Sequence, residues 1–267
     1  MEQRLNTSKI SIIDTHAHLD MTDFAIDCDA VIARAVEAGV NQIITAGTSA
    51  ESSEKAIALA EKYPQVFAAV GIHPHEAVDI QKADITRISR LAKHPRVVAL
   101  GEMGLDFYRN YTPRDSQYQT LKWQLELASD LRLPVIIHAR QSTKEMLEIL
   151  SDWGKKSHAE LPGVIHCFQD TITAAKTYLE MGFYLAFGGY IGYPNSHLAE
   201  VIKTIPEDRL LVETDAPYLP PQKYRGQRNE PAYIILTVEK LVEILGTSAE
   251  KVAWQTTENA MRLFNLK

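Results

Sequence analysis

Eight short, β-branched and almost continuously apolar runs punctuate the chain: Ile10–Asp14, Gln42–Ala46, Val66–Gly71, Val97–Gly101, Pro134–Ile137, Val164–His166, Phe183–Phe187 and Leu210–Glu213. A strand with one wet face alternates apolar and polar side chains. A parallel strand covered by helices on both faces has no polar side to show, and these runs fit that case. Helical patterns fill the intervals. Residues 27–38 carry apolar side chains at 31, 32, 35 and 36, and Gly39 follows as a C-cap signal. Residues 114–131 place Leu121, Leu125, Ala128 and Leu131 on one face, and residues 171–181 run into Gly182. Strand–helix units about 20–35 residues apart predict an open doubly wound sheet or a closed (β/α)8 TIM barrel. Two further helices, over 230–245 and 248–264, follow the eighth run, with Thr247 and Glu250 at capping-box spacing for the second.

A chain of 267 residues, 45% of them apolar, matches the size of one α/β barrel, so a single domain over 1–267 is expected. The net charge of −6 argues against coating nucleic acid by bulk electrostatics, but not against gripping one strand end in a local basic patch. Cys28 and Cys167 are far apart and read as reduced thiols. The opening MEQRLNTSKI has no apolar signal-peptide core, and no stretch approaches the length of a membrane span. The expectation is a cytoplasmic protein with no membrane contact and no obligate protein partner.

Six metal-type side chains sit where five of the eight runs end: His16 and His18 at the first, Glu102 at the fourth, His138 at the fifth, His166 at the sixth and Asp215 at the eighth. Residues two apart on a strand point the same way, so His16 and His18 can offer nitrogens to one ion. Glu102 can bridge two cations, one per oxygen; alone, it equally fits a turn cap. His138 and His166, taken singly, also fit satisfied core histidines. Asp215 can both bind a metal and take a proton from water; alone, it too fits a cap, and Pro217 turns the chain out of the strand. The joint placement favours the barrel, because closure brings all strand ends around one mouth. Imidazole and carboxylate donors suit Zn, Mn, Co, Ni or Fe, with Mg at an oxygen-rich position.

Other side chains are expected near that mouth. His73 follows the third run and can hold an oxyanion, while His75 is expected at the surface and His94, His158 and His197 in structural or solvated positions. Arg109 and Arg140 can clamp phosphate or form ordinary surface pairs. The loop Lys223–Asn229 offers Lys223, Arg225 and Arg228 for phosphate, or is simply solvated. Cys167 follows His166 and, in a strand, would point away from it as a small buried residue. Phe107, Tyr108, Tyr193 and Tyr224 are stacking candidates for bases, or packing.

The stretches DTHAHLD (14–20), GIHPHEA (71–77), GEMGLDFYR (101–109), PVIIHAR (134–140), HCF (166–168), FGGYIGY (187–193), ETDAPYL (213–219) and RNEP (228–231) together resemble the TatD family of metal-dependent hydrolases in the amidohydrolase superfamily. The set is in family order and spans almost the whole chain. Asp170 departs from the Gly usual after HCF, and Ala139 from a common Ser. The resemblance implies that His16, His18, Glu102 and Asp215 hold one divalent ion, and Glu102, His138 and His166 a second. It implies deoxyribonuclease activity at DNA 3′ ends.

The expected chemistry is hydrolysis by a metal-activated water, with Asp215 taking the proton and His73, Arg109, Arg140, Arg225 and Arg228 placing the phosphate. Two alternatives remain open at this stage. The same site can serve a small ester or amide or an aminoacyl-tRNA, or be a metal-binding scaffold without turnover. A cation-rich rim favours phosphate, and an apolar rim a neutral ester or amide.

Overall fold

The computed structural model describes residues 11–109, 111–155 and 163–266. Ile10, the MEQRLNTSKI segment and His158 therefore lie outside the described residues. Eight parallel strands pair in chain order: β1 Ile12–Ala17, β2 Val40–Ala46, β3 Val66–Val70, β4 Val97–Asp106, β5 Val135–Arg140, β6 Gly163–Ile165, β7 Tyr184–Phe187 and β8 Leu210–Val212. Between them run α1 Cys28–Glu37, α2 Ala50–Lys62, α3 Lys82–Leu91, α4 Arg114–Leu131, α5 Thr143–Gly154, α6 Ile172–Glu180 and α7 Leu198–Ile202, and α8 Ile234–Leu245 and α9 Ala249–Phe264 follow.

Closure comes from the segments just past β1 and β8. Ala17 bridges Ala216 in parallel, His18 N–H donates to the Ala216 carbonyl at 2.7 Å, and Asp215 N–H to that of His16 at 2.9 Å. Asp14 adds a side-chain clamp, accepting from Thr214 N–H (3.0 Å) and the Thr214 hydroxyl (2.5 Å). The expected (β/α)8 barrel with extra C-terminal helices is the fold observed.

The strand interiors supply two cores. Ile13, Ile44, Ala69, Ala99, Ile136 and Leu211 belong to an inner cluster that includes Ala260, Leu263 and Phe264 of α9. Helix α9 is tied to the starts of β1 and β8: Thr257 donates to the Ser11 carbonyl, and Asn259 to the carbonyls of Glu207 and Leu210, each at 2.8 Å. Its apolar face thus plugs the end of the barrel opposite the mouth. The larger outer cluster joins the other strand faces to α1–α8, which is why the runs lack a polar side.

Several boundaries differ from the sequence expectation; β1 runs on to Ala17 and β5 to Arg140, past the expected Asp14 and Ile137, and β2 starts at Val40. β4 continues past Gly101 to Asp106, because its glycines permit close approach to β5 rather than ending the strand. A Cβ at Gly104 would lie 1.9 Å from the His138 carbonyl oxygen, and one at Gly101 2.6 Å from that of Ile136. Helix α8 starts at Ile234 after a short turn over Pro231–Tyr233, four residues later than expected. Helix α9 is capped by Ser248, whose hydroxyl accepts from Lys251 N–H at 3.2 Å, not by Thr247. No helix among the described residues is long and apolar enough to cross a membrane.

Candidate metal centre

The C-terminal halves of β1, β4 and β5, with the residues just past β1, β6 and β8, bring all six metal-type residues together. His16 Nε2 lies 3.1 Å from His18 Nε2, and each is 3.4 Å from Glu102 Oε2. Asp215 Oδ1 is 3.7 Å from the first nitrogen and 3.4 Å from the second. Donors about 2.0–2.2 Å from a tetrahedral ion lie roughly 3.3–3.6 Å from one another, so these four atoms have the spacing of a coordination shell.

A second group meets the other oxygen of the same carboxylate. Glu102 Oε1 is 2.8 Å from His138 Nδ1 and 2.7 Å from His166 Nε2, and those nitrogens are 3.1 Å apart. Glu102 therefore faces one donor set with each oxygen. The donors of His16, His166 and Asp215, too, lie within 4.8 Å of one another.

Neighbouring groups fix which nitrogens are free. His18 Nδ1 is 2.8 Å from the Ala46 carbonyl, so Nδ1 keeps its proton and Nε2 is the nitrogen that offers a lone pair to the group once its own proton leaves. His138 is gripped on its far side by Asp106, whose Oδ2 lies 3.2 Å from Nε2. Imidazole lone pairs converging with two carboxylates fit a borderline divalent cation.

The electrostatics record this crowding. Burial disfavours the charged form throughout. It and the neighbouring His166 take His16 down to about 4. For His18 burial is outweighed by Asp215 and Glu102, and for His138 by Asp106 and Glu102, leaving both at about 9. Glu102 is held well below the carboxylate range, as its imidazole neighbours overcome burial. Asp215 is lowered likewise, by His18 first.

Asp215 has a left-handed backbone, φ 57°, as do Gln141 (51°) after β5 and Cys167 (48°) after β6. These costly conformations cluster on the loops at the mouth, as expected where side-chain placement matters more than backbone comfort.

Above the donors opens a cavity of about 860 Å³, lined among others by His73, His75, Arg109, Arg140, Cys167 and Tyr218. His73 is where the sequence put it, with Nε2 3.5 Å from Glu102 Oε1. Its Nδ1 accepts His75 N–H at 3.0 Å, and burial lowers the group to about 4, so neutral His73 keeps its proton on Nε2 and presents a donor.

Arg109 and Arg140 are exposed on the cavity wall, their guanidinium carbons 5.3 and 4.1 Å from the centre of the Tyr108 ring. Arg225 and Arg228 are not among the lining residues. Arg225 sits 5.2 Å over Tyr193. Arg228 forks both oxygens of Asp27 at 2.7 Å each and donates to the Asp23 carbonyl at 2.6 Å, so three of its five N–H donors hold the loop before α1.

Two further expectations change. His75 is not simply at the surface; it lines the cavity with Nε2 2.9 Å from Asp106. Cys167 is not in a strand pointing away, since β6 ends at Ile165 and the left-handed turn lets Cys167 line the cavity. Burial pushes its thiol well up, which keeps it protonated. The sequence reading missed Asp106, which also accepts N–H bonds from Tyr108 (2.9 Å) and Arg109 (2.8 Å). Its signal was available as parity: Glu102, Gly104 and Asp106 are two apart on one strand.

Residues 13–265 match the family model described as TatD related DNase. The chain is 39% identical over 256 residues to the uncharacterized metal-dependent hydrolase YabD of Bacillus subtilis, covering 96% of this chain and 99% of that protein. It is 38% identical over 262 residues to the 3′-5′ ssDNA/RNA exonuclease TatD of Erwinia tasmaniensis, covering 96% and 100%. Among solved structures, YjjV, a TatD homolog from Escherichia coli K12, superposes with a TM-score of 0.90 at 32% identity, covering 97% of this chain and all of that one.

Proposed function

This chain belongs to the TatD related DNase family, and on that premise we propose that it is a divalent-metal-dependent hydrolase that removes nucleotides from the 3′ ends of single-stranded DNA. The observation that carries the reading is Glu102, which turns one carboxylate oxygen to His16 and His18 and the other to His138 and His166. That arrangement supports two ions, the first held by His16, His18, Glu102 and Asp215, the second by Glu102, His138 and His166. We read the whole chain as one hydrolase domain built around them.

Bound there, Zn, Mn, Mg, Co or Ni would acidify water and offset negative charge on a phosphate. The protein's own groups do the rest. Asp215 takes the proton of the attacking water on its carboxylate and returns one to the departing oxygen. His73 donates its Nε2 proton in a hydrogen bond to a non-bridging phosphate oxygen. Arg109 and Arg140 clamp the next phosphate, and the half-exposed rings of Tyr108, Tyr111 and Tyr218 give bases surfaces to stack on. Two arginines on the wall favour a phosphodiester over the neutral ester, amide or aminoacyl ester that such a site can also hydrolyse.

The test is a 5′-labelled single-stranded DNA incubated with metal-stripped protein resupplied with Mg or Mn, beside Asp215→Asn. The expected result is a ladder shortening from the 3′ end, lost in the variant. Intact DNA with metal-loaded wild-type protein overturns the substrate, and a ladder that survives the substitution overturns the role of Asp215.

A further inference from the structure

Two polar groups on the cavity wall, outside the donor groups, have no task in the reaction above. Asp170 follows β6 and lines the cavity. Its carboxylate is pinned by the Thr143 hydroxyl at the start of α5 and by Thr171 N–H at 2.6 Å. Those two bonds use only part of its four lone-pair sites. Tyr178, on α6, lines the same cavity, is 1% exposed, and has a buried hydroxyl with no hydrogen-bond partner among the described residues. Burial, and next the charge of Asp170, push this phenol up, so it remains an O–H donor. A buried hydroxyl without a partner is costly and uncommon, and points to a ligand that completes it.

An acceptor-only carboxylate near a free phenol donor has a definite chemical complement. A ligand hydroxyl donates its proton to the first and accepts from the second. A phosphate cannot donate when ionised and is repelled by the carboxylate. In the reading above Arg109 and Arg140 meet the strand's phosphates, which leaves the negative Asp170 suited to a part of the strand that carries no charge.

We propose that Asp170 and Tyr178 receive the 3′-hydroxyl of the terminal nucleotide and make the enzyme select strands that end in a free 3′-hydroxyl over those ending in 3′-phosphate. This rests on the exonuclease reading.

The experiment follows removal of the last nucleotide from three 5′-labelled single strands of one sequence, ending in 3′-hydroxyl, 3′-deoxy or 3′-phosphate. The proteins are wild type, Asp170→Asn and Tyr178→Phe, all metal-loaded. Wild type is expected to favour the hydroxyl end over the deoxy end by roughly 10- to 100-fold in kcat/KM, the range of a hydrogen bond to a charged group, and to be slower still on the phosphate end. Asp170→Asn narrows the hydroxyl-to-phosphate ratio by about tenfold or more, and Tyr178→Phe narrows the hydroxyl-to-deoxy ratio. Ratios within one variant cancel any loss of folded protein. Equal wild-type rates on all three ends, or ratios unchanged by Asp170→Asn, overturn the proposal and leave the exonuclease standing. Failure to degrade any of the strands overturns both.

Discussion

Asp106 Oδ2 lies 3.2 Å from Nε2 of His138, on the side of the ring opposite Glu102, whose Oε1 is 2.8 Å from Nδ1. The carboxylate is fully buried, and although burial alone would raise its pKa, its bonds from His138 and His75 hold it well below the usual range. Asp106 thus orients a donor ring from behind while fixing the turn that carries Arg109. Replacing it with Asn keeps an acceptor for the Tyr108 and Arg109 N–H groups but removes the charge. Metal affinity is expected to fall about 10- to 100-fold, the range for partners of ligating histidines. Competition with a chromophoric chelator measures it, and unchanged affinity would remove Asp106 from the metal's support.

Metal loading should release protons. Without metal, His18 and His138 hold theirs up to about 9, and an ion takes the lone pair the proton occupies. Affinity therefore rises with pH toward that value. Stability of the metal-free protein runs the other way. These folded values exceed the ordinary 6.5, so their contribution is complete below about 6.5 and disappears as pH climbs through 9. Calorimetric titration at pH 7 in buffers of different ionisation enthalpy counts the protons, and a count of zero contradicts the prediction.

Arginines of different placement should separate in their effects. Arg140→Ala or Arg109→Ala is expected to raise KM for single-stranded DNA and to flatten the salt dependence by about one phosphate each, with kcat little changed. Arg228→Ala breaks the fork on Asp27 and should lower the melting temperature while KM stays within about threefold. Kinetics at three salt concentrations, beside melting curves, decide this; the reverse pattern would put Arg228 on the substrate.

The plug at the closed end of the barrel should be thermodynamic, not catalytic. Phe264 is 2% exposed within the inner cluster. Phe264→Ala is expected to destabilise by about 3–5 kcal/mol through lost burial and the cavity left behind. Denaturant unfolding gives the number, and kcat per folded molecule should be unchanged.

The fold and the donor set were largely legible in the sequence, for a physical reason. Parallel strands buried on both faces must be apolar along their length, and barrel closure sends every C-terminal end to one place, so polar residues at the ends of such runs declare themselves. Glycines misled the reading at β4, because one dimension cannot distinguish a strand that ends from a strand that lies close against its neighbour. The sequence by itself determined eight strands, their order and the six residues that could meet at the mouth. Only the tertiary structure decided that Glu102 divides its oxygens between two groups, that Asp106 stands behind His138, that His75 and Cys167 turn inward, and that Arg228 pairs with Asp27. Those outcomes depend on register between strands distant in sequence and on single left-handed residues in the loops, and periodicity carries no record of either.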